Sequence, residues 1–108
     1  MCCNPEMIIN EKHFNISQCT ECRRIGLYYK NLLVGFKPRE FASFSRLFNQ
    51  IDFEMAAIRF PDGHDHIVVN TCHPDIQFSF TKAEFEEFRE MLQHASLILK
   101  ANRILRTK

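Results

Sequence analysis

Two segments of this chain, FKPREFASFSRLFNQ over 36–50 and FTKAEFEEFREMLQH over 80–94, superimpose at a constant offset of 44 residues. Phe36 matches Phe80, Glu40 matches Glu84, Phe41 matches Phe85 and Phe44 matches Phe88, while Leu47/Met91, Phe48/Leu92 and Asn49/Gln93 keep the side-chain type. Carried upstream without a gap, the offset pairs Asn31 with Asp75, Leu32 with Ile76 and Val34 with Phe78. Duplication is the simplest source of such a pattern. A unit of this length can scarcely close a core of its own, so the two copies are expected to share one interior about an approximate two-fold axis.

Each segment opens with helix signals. Thr81 can accept from the Glu84 N–H while the Glu84 carboxylate reaches back, and Pro38 stands where a first turn has no use for an N–H, with Glu40 following. Helices are therefore predicted from Pro38 and from about Lys82. Phe41, Phe44, Phe48 and Ile51 recur at three- and four-residue spacing on the first, as do Phe85, Phe88, Leu92, Ala95 and Leu99 on the second. An aromatic stripe can line a ligand groove, but one that follows the helical period is explained by core packing. Ahead of the helices lie strand-like runs at 13–18, 24–30 and 32–36, then at 53–60, 66–71 and 76–80, divided by Lys30-Asn31, Pro61-Asp62-Gly63 and Pro74-Asp75. The expected fold is α+β: a tandem βββα duplication with antiparallel sheets and two helices in pseudo-two-fold relation. It forms a single domain over 1–108, with repeats at about 13–51 and 57–95 and a helical extension over 96–108.

A formal net charge of +1 supplies no global field for nucleic acid or anionic lipid, so a nucleic-acid partner is not expected from charge alone. The N-terminus has no basic stretch followed by a long apolar run, and no segment has the length of a membrane span, which suits a cytoplasmic protein. Five cysteines is an odd number, better read in that setting as thiols or metal ligands than as a disulfide framework.

Cys19-Thr20-Glu21-Cys22 falls where the first two strand-like runs should turn. Two thiolates at this spacing suit one tetrahedral ion, and Cys2 and Cys3 could close a Zn²⁺ site, although adjacent residues seldom ligate one ion comfortably; His13 is a substitute ligand. Incidental reduced thiols and redox exchange are the other readings. Redox exchange fits least, because Arg23 to Tyr29 reads as a strand and not as the helix that activates a thioredoxin-like thiol. Asp62, His64, Asp65 and His66 have metal-compatible chemistry but read as polar residues of an exposed turn. Cys72 and His73, as neighbours on a strand, would point to opposite faces and could not act as nucleophile and base. With 3 Gly in the chain, no phosphate-cradling loop is present.

Lys100, Arg103, Arg106 and Lys108 follow Glu84, Glu86, Glu87 and Glu90 along the second helix, an order that complements the helix dipole. The other reading is a contact with RNA or an acidic protein. Leu97, Ile98, Ile104 and Leu105 spread apolar surface around more than one side of the same segment, which suggests a homodimer.

The early cysteine, the Cys19/Cys22 pair, the strand pair after it and the E-F-x-x-F helix start together resemble a family of short uncharacterised bacterial proteins of the Bacteroidetes type, a domain of unknown function. Relatives in that resemblance place a histidine close after the first cysteine; here Cys3 and Asn4 stand in its place. The resemblance implies no activity. No catalytic set converges in the sequence, so the expectation is a non-enzymatic structural or interaction module with a protein partner or a second copy of itself. The alternative is a small zinc-ribbon-like nucleic-acid or regulatory binding domain using Cys19, Cys22, Arg23 and Arg24.

Overall fold

The computed structural model describes residues 4–106, which form β1 (Pro5–Glu11), β2 (Phe14–Cys19), β3 (Ile25–Tyr29), β4 (Leu32–Phe36), α1 (Pro38–Gln50), α2 (Phe53–Ala56), β5 (Ile58–Arg59), β6 (Asp65–Asn70), β7 (Gln77–Phe80) and α3 (Lys82–Arg106). The fold is α+β, with an antiparallel meander β1-β2-β3-β4 and a second antiparallel sheet β5-β6-β7. Phe14 and Ile16, Ile25 and Leu27, and Val34 and Phe36 are buried at every second position of β2, β3 and β4, the period of strands with one face on a core. In β1 the register slips between Met7 and Ile9, and this bulge lets the consecutive Ile8 and Ile9 both be buried.

The helices begin where their first residues require. The Glu40 carboxylate accepts from the Lys37 N–H at 2.8 Å ahead of Pro38. Glu84 accepts from the Thr81 N–H at 2.9 Å while the Glu84 N–H reaches the Thr81 hydroxyl at 3.4 Å. Both helices turn their aromatic stripe into one continuous core, which holds Phe41, Phe44, Phe48, Phe85, Phe88 and Leu92 together with inward residues of both sheets. Phe44 meets Phe88 at 6.3 Å between ring centroids, and the Gln93 side-chain N–H donates to Asn49 Oδ1 at 2.7 Å. Each of these contacts joins residues at the repeat offset.

The structure differs from the sequence expectation in three places. The run over 53–60 is not a strand: Asp52 caps Phe53–Ala56 as a helical turn by accepting from the Glu54 N–H, and β5 keeps only two residues, so the helices number three among the described residues. β1 was not expected at all and has no counterpart in the second sheet. The offset is also not free of gaps. Ile25 pairs with Phe36 and Ile67 with Phe80, so β6 follows β3 at a spacing of 42, because four residues, Cys72 to Asp75, fill the place of the two-residue turn Lys30-Asn31. α3 runs to Arg106.

Candidate functional site

The turn between β2 and β3 is built around one sulfur. The N–H groups of Glu21 and Cys22 both donate to Cys19 Sγ at 3.4 Å, the spacing of Cys19 and Cys22 having wrapped the backbone about the first thiol. The turn is closed below by Cys19 N–H to Arg24 O at 2.9 Å and Arg23 N–H to Cys19 O at 3.0 Å. Arg23 takes a left-handed conformation at φ 69°, which costs a non-glycine residue on the order of 1 kcal/mol. Its carbonyl is held by the side-chain amide of Gln18, itself 5 % exposed, at 2.9 Å. Cys19 is buried and Cys22 exposed.

β1 delivers the N-terminus to this turn. Pro5 stands opposite Cys19, and the Thr20 N–H and hydroxyl both donate to the Asn4 carbonyl at 3.0 Å. Cys2 and Cys3 lie outside the described residues, and within those residues no three Cys, His, Asp or Glu side chains gather as a metal group. His13 stands apart from the Cys19–Cys22 turn. It lies in the β1–β2 turn at the opposite end of β2, and six residues of extended chain put it roughly 20 Å from Cys19.

The other sequence candidates take different roles. His66 is buried on β6, stacked on Phe60 at 4.2 Å, with Nε2 at 2.7 Å from Asp62 Oδ2 and Nδ1 at 3.0 Å from Ser79 Oγ. This chain of contacts ties the turn before β6 to β7, and the Asp62 carboxyl is held below its usual range first by the His64 N–H and then by His66. Asp62, His64 and Asp65 are exposed as expected of a turn, whereas the burial of His66 was missed. Alternation gave no signal for it: Ile67 and Val69 form the inward row of β6, and His66 lies on the other face, where Phe60, Asp62 and Ser79 surround its ring. Cys72 and His73 lie in the β6–β7 loop and not on a strand, so both reach one acceptor: Cys72 Sγ is 3.9 Å and His73 Nε2 2.9 Å from Gly35 O. Burial first, and then the neighbouring Glu40 charge, push the Cys72 thiol up, away from the reactive thiolate. Among the described residues no helix is long and apolar enough to cross a membrane.

The chain belongs to a family of unknown function, DUF6686, whose match covers residues 1–107. No curated protein and no solved structure matches it.

Proposed function

We propose that this member of a family of unknown function is a non-enzymatic binding module whose N-terminal end is stapled by one Zn²⁺ held on Cys19 and Cys22, with Cys2 and Cys3 supplying the remaining thiolates. The observation that carries this reading is the pair of N–H groups converging on Cys19 Sγ, braced by Gln18, in a turn that holds Arg23 in a strained conformation. Asn4, which follows Cys3 in the sequence, has its carbonyl bonded to Thr20 within the turn. Such ligation requires reduced thiols and suits the cytoplasm.

Protein purified under reducing conditions should carry or take up about one Zn²⁺ per chain, and the loaded form should resist thiol reagents because ligation protects thiolates. Cys19→Ser and Cys22→Ser should each abolish uptake, and Cys2→Ser and Cys3→Ser show which of the adjacent pair contributes. A reduced protein that takes up no zinc, with thiols equally reactive with and without chelator, would return these cysteines to an incidental role.

The halves are further read as descendants of one duplicated βββα unit. In a two-fold arrangement a residue meets its own counterpart on the axis, and the Phe44–Phe88 and Asn49–Gln93 contacts are pairs of that kind. Self-association is assigned to the flank of α3 that carries Leu97 and Leu105, 68 % and 63 % exposed, on a side of the helix distinct from Leu99, which packs against the core.

A further inference from the structure

We infer that the end of the molecule around Arg23 docks an acidic peptide segment of a partner protein, one carrying aliphatic side chains between its carboxylates. The inference rests on the binding-module reading and names the chemistry of what is bound. An open hollow of about 560 Å³ lies between β2–β3, the start of α1 and the last turns of α3. Its floor is apolar, with Ile25, Phe41 and Leu99, and every charged residue on its wall is a cation: Arg23, Arg46, Lys100 and Arg103. Pro38 separates it from a second hollow of about 520 Å³ whose charged wall residues, beside Cys22, are Arg24, Lys37 and Arg39. Half of the chain's 14 Lys and Arg thus line two adjoining hollows in a protein of formal net charge +1.

Folding does not explain this gathering. The ion pairs among the described residues are Lys30–Glu84, Arg59–Asp65, Lys82–Glu54 and His66–Asp62, and none uses a cation of these hollows. Lys100 and Arg103 near the C-terminal end of α3 suit its dipole, but Lys37 and Arg39 stand at the N-terminal end of α1, where the dipole disfavours a positive charge. Elsewhere the surface is mixed: the hollow between the end of α1 and the start of α3 carries Asp52, Glu54 and Glu86 together with Lys82 and Arg89, so its charges compensate one another. Glu40, at the start of α1, faces Lys37 and Arg24 of the smaller hollow, whereas Arg23, Arg46, Lys100 and Arg103 of the larger one make no ion pair among the described residues; that cationic rim calls for a polyanion, and the floor decides which kind. Phe41 and Ile25 at the bottom are 2 % and 3 % exposed, so no aromatic face is offered to a nucleobase; the apolar surface within reach is aliphatic, from Pro38, Ala42 and Leu99, which aliphatic side chains would cover and a phosphate chain would leave wet.

The test is fluorescence anisotropy of a labelled peptide composed of Asp, Glu and Leu, titrated with the full chain whose zinc content is measured in the same preparation. Binding should weaken by about tenfold on replacing the peptide's Leu by Ser, and again by about tenfold in Arg46→Glu/Arg103→Glu. It should fall as salt is raised from about 50 to about 300 mM. Arg23→Gly, which keeps the left-handed backbone and removes the charge, should also weaken it. Lys12→Glu, at the far end of β2, should leave it unchanged. Circular dichroism of each variant confirms that it is folded. The inference is overturned by no binding of the peptide, by equal losses from Lys12→Glu and the double reversal, or by an oligonucleotide that binds as tightly as the peptide. Zinc-loaded protein that ignores the peptide sinks the docking surface and leaves the metal site standing. Peptide binding that persists when Cys19→Ser/Cys22→Ser holds no zinc, in a chain whose wild type also holds none, sinks the metal site and leaves the surface.

Discussion

Phe88 is the most informative residue to remove. It is 1 % exposed, and its ring meets those of Phe14 and Tyr29 at 4.9 Å, Phe48 at 5.2 Å, Phe78 at 5.3 Å, Phe80 at 4.7 Å and Phe44 at 6.3 Å. These neighbours come from β2, β3, α1 and β7, so both sheets and both long helices close on this one side chain. A buried Phe→Ala change costs about 3–5 kcal/mol, and the upper half of that range is expected because walls contributed by four other elements cannot all relax into the gap. A domain of this size has a total stability of about 5–15 kcal/mol, so the loss is a large share of it. Phe88→Leu, which fills most of the space but gives up the ring-on-ring geometry, should cost roughly 1–2 kcal/mol and keeps the experiment readable if the alanine variant does not fold. Leu33→Ala, at a position 63 % exposed, should change stability by less than about 0.5 kcal/mol. Urea unfolding followed by far-ultraviolet dichroism gives the magnitude. Near-ultraviolet dichroism adds a local probe, since the chain has 2 Tyr and no Trp and Tyr29 lies in this cluster. A loss below about 1 kcal/mol for Phe88→Ala, or separate transitions by the two probes in the wild type, would refute a single shared core.

Four further outcomes follow from named contacts. Glu84 is held below the usual carboxylate range because the Thr81 N–H and the Lys30 ammonium outweigh the burial that alone would raise it, and Glu40 and Asp62 are lowered by the N–H groups of Lys37 and His64. A lowered folded value means stability that is complete above the unfolded value, near pH 4, and is lost as pH falls below it; urea midpoints between about pH 7 and pH 3 should drop, with a shallower fall in Glu84→Gln. Gln18→Leu removes the donor to the Arg23 carbonyl, and should cost roughly 1–2 kcal/mol in urea and speed the reaction of Cys19 with maleimide. His66→Phe keeps the stacking on Phe60 but loses Asp62 and Ser79, so hydrogen exchange in β6 should accelerate while that in β2 and β3 does not. Sedimentation at micromolar concentration should show a dimer that Leu97→Glu/Leu105→Glu dissociates; a wild-type monomer would reject the assigned flank.

Legibility in the sequence tracked how local the deciding interaction is. The helix starts were readable because Pro38, Thr81 and the two glutamates act within one turn, and the stripes were readable because a helical face repeats at its own period. The segment over 53–60 misled because Phe53, Ala57 and Ile58 look strand-like by composition, while the Asp52 side chain and a single buried ring, Phe53, decide the local conformation as a turn of helix. β1 was hidden by its bulge: Ile8 and Ile9 are buried side by side, and a period-two reading of PEMIINE finds no alternation there.

The candidate site was half legible for a related reason. Cys19 and Cys22 announce themselves by spacing, but a left-handed arginine does not, since nothing in the letters Arg23-Arg24 asks for positive φ. Nor does the sequence tell that β1 pairs with β2 and so brings Asn4 onto the turn. That pairing would give the proposed staple a physical purpose. β1 is an edge strand, and ahead of Pro5 the Thr20 N–H and hydroxyl both donate to the Asn4 carbonyl. Yet β1 contributes Ile8 and Ile9 to the core against α3, so fraying from that end would open the interior and not merely loosen a tail. A metal ion joining the residues before Asn4 to Cys19 and Cys22 would fasten the N-terminal side of this strand to the β2–β3 turn. Loss of zinc should therefore accelerate hydrogen exchange in β1 first, at Met7 to Asn10, before any change reaches β6 and β7; exchange that rises uniformly across both sheets on chelation would place the metal's effect on the whole fold instead.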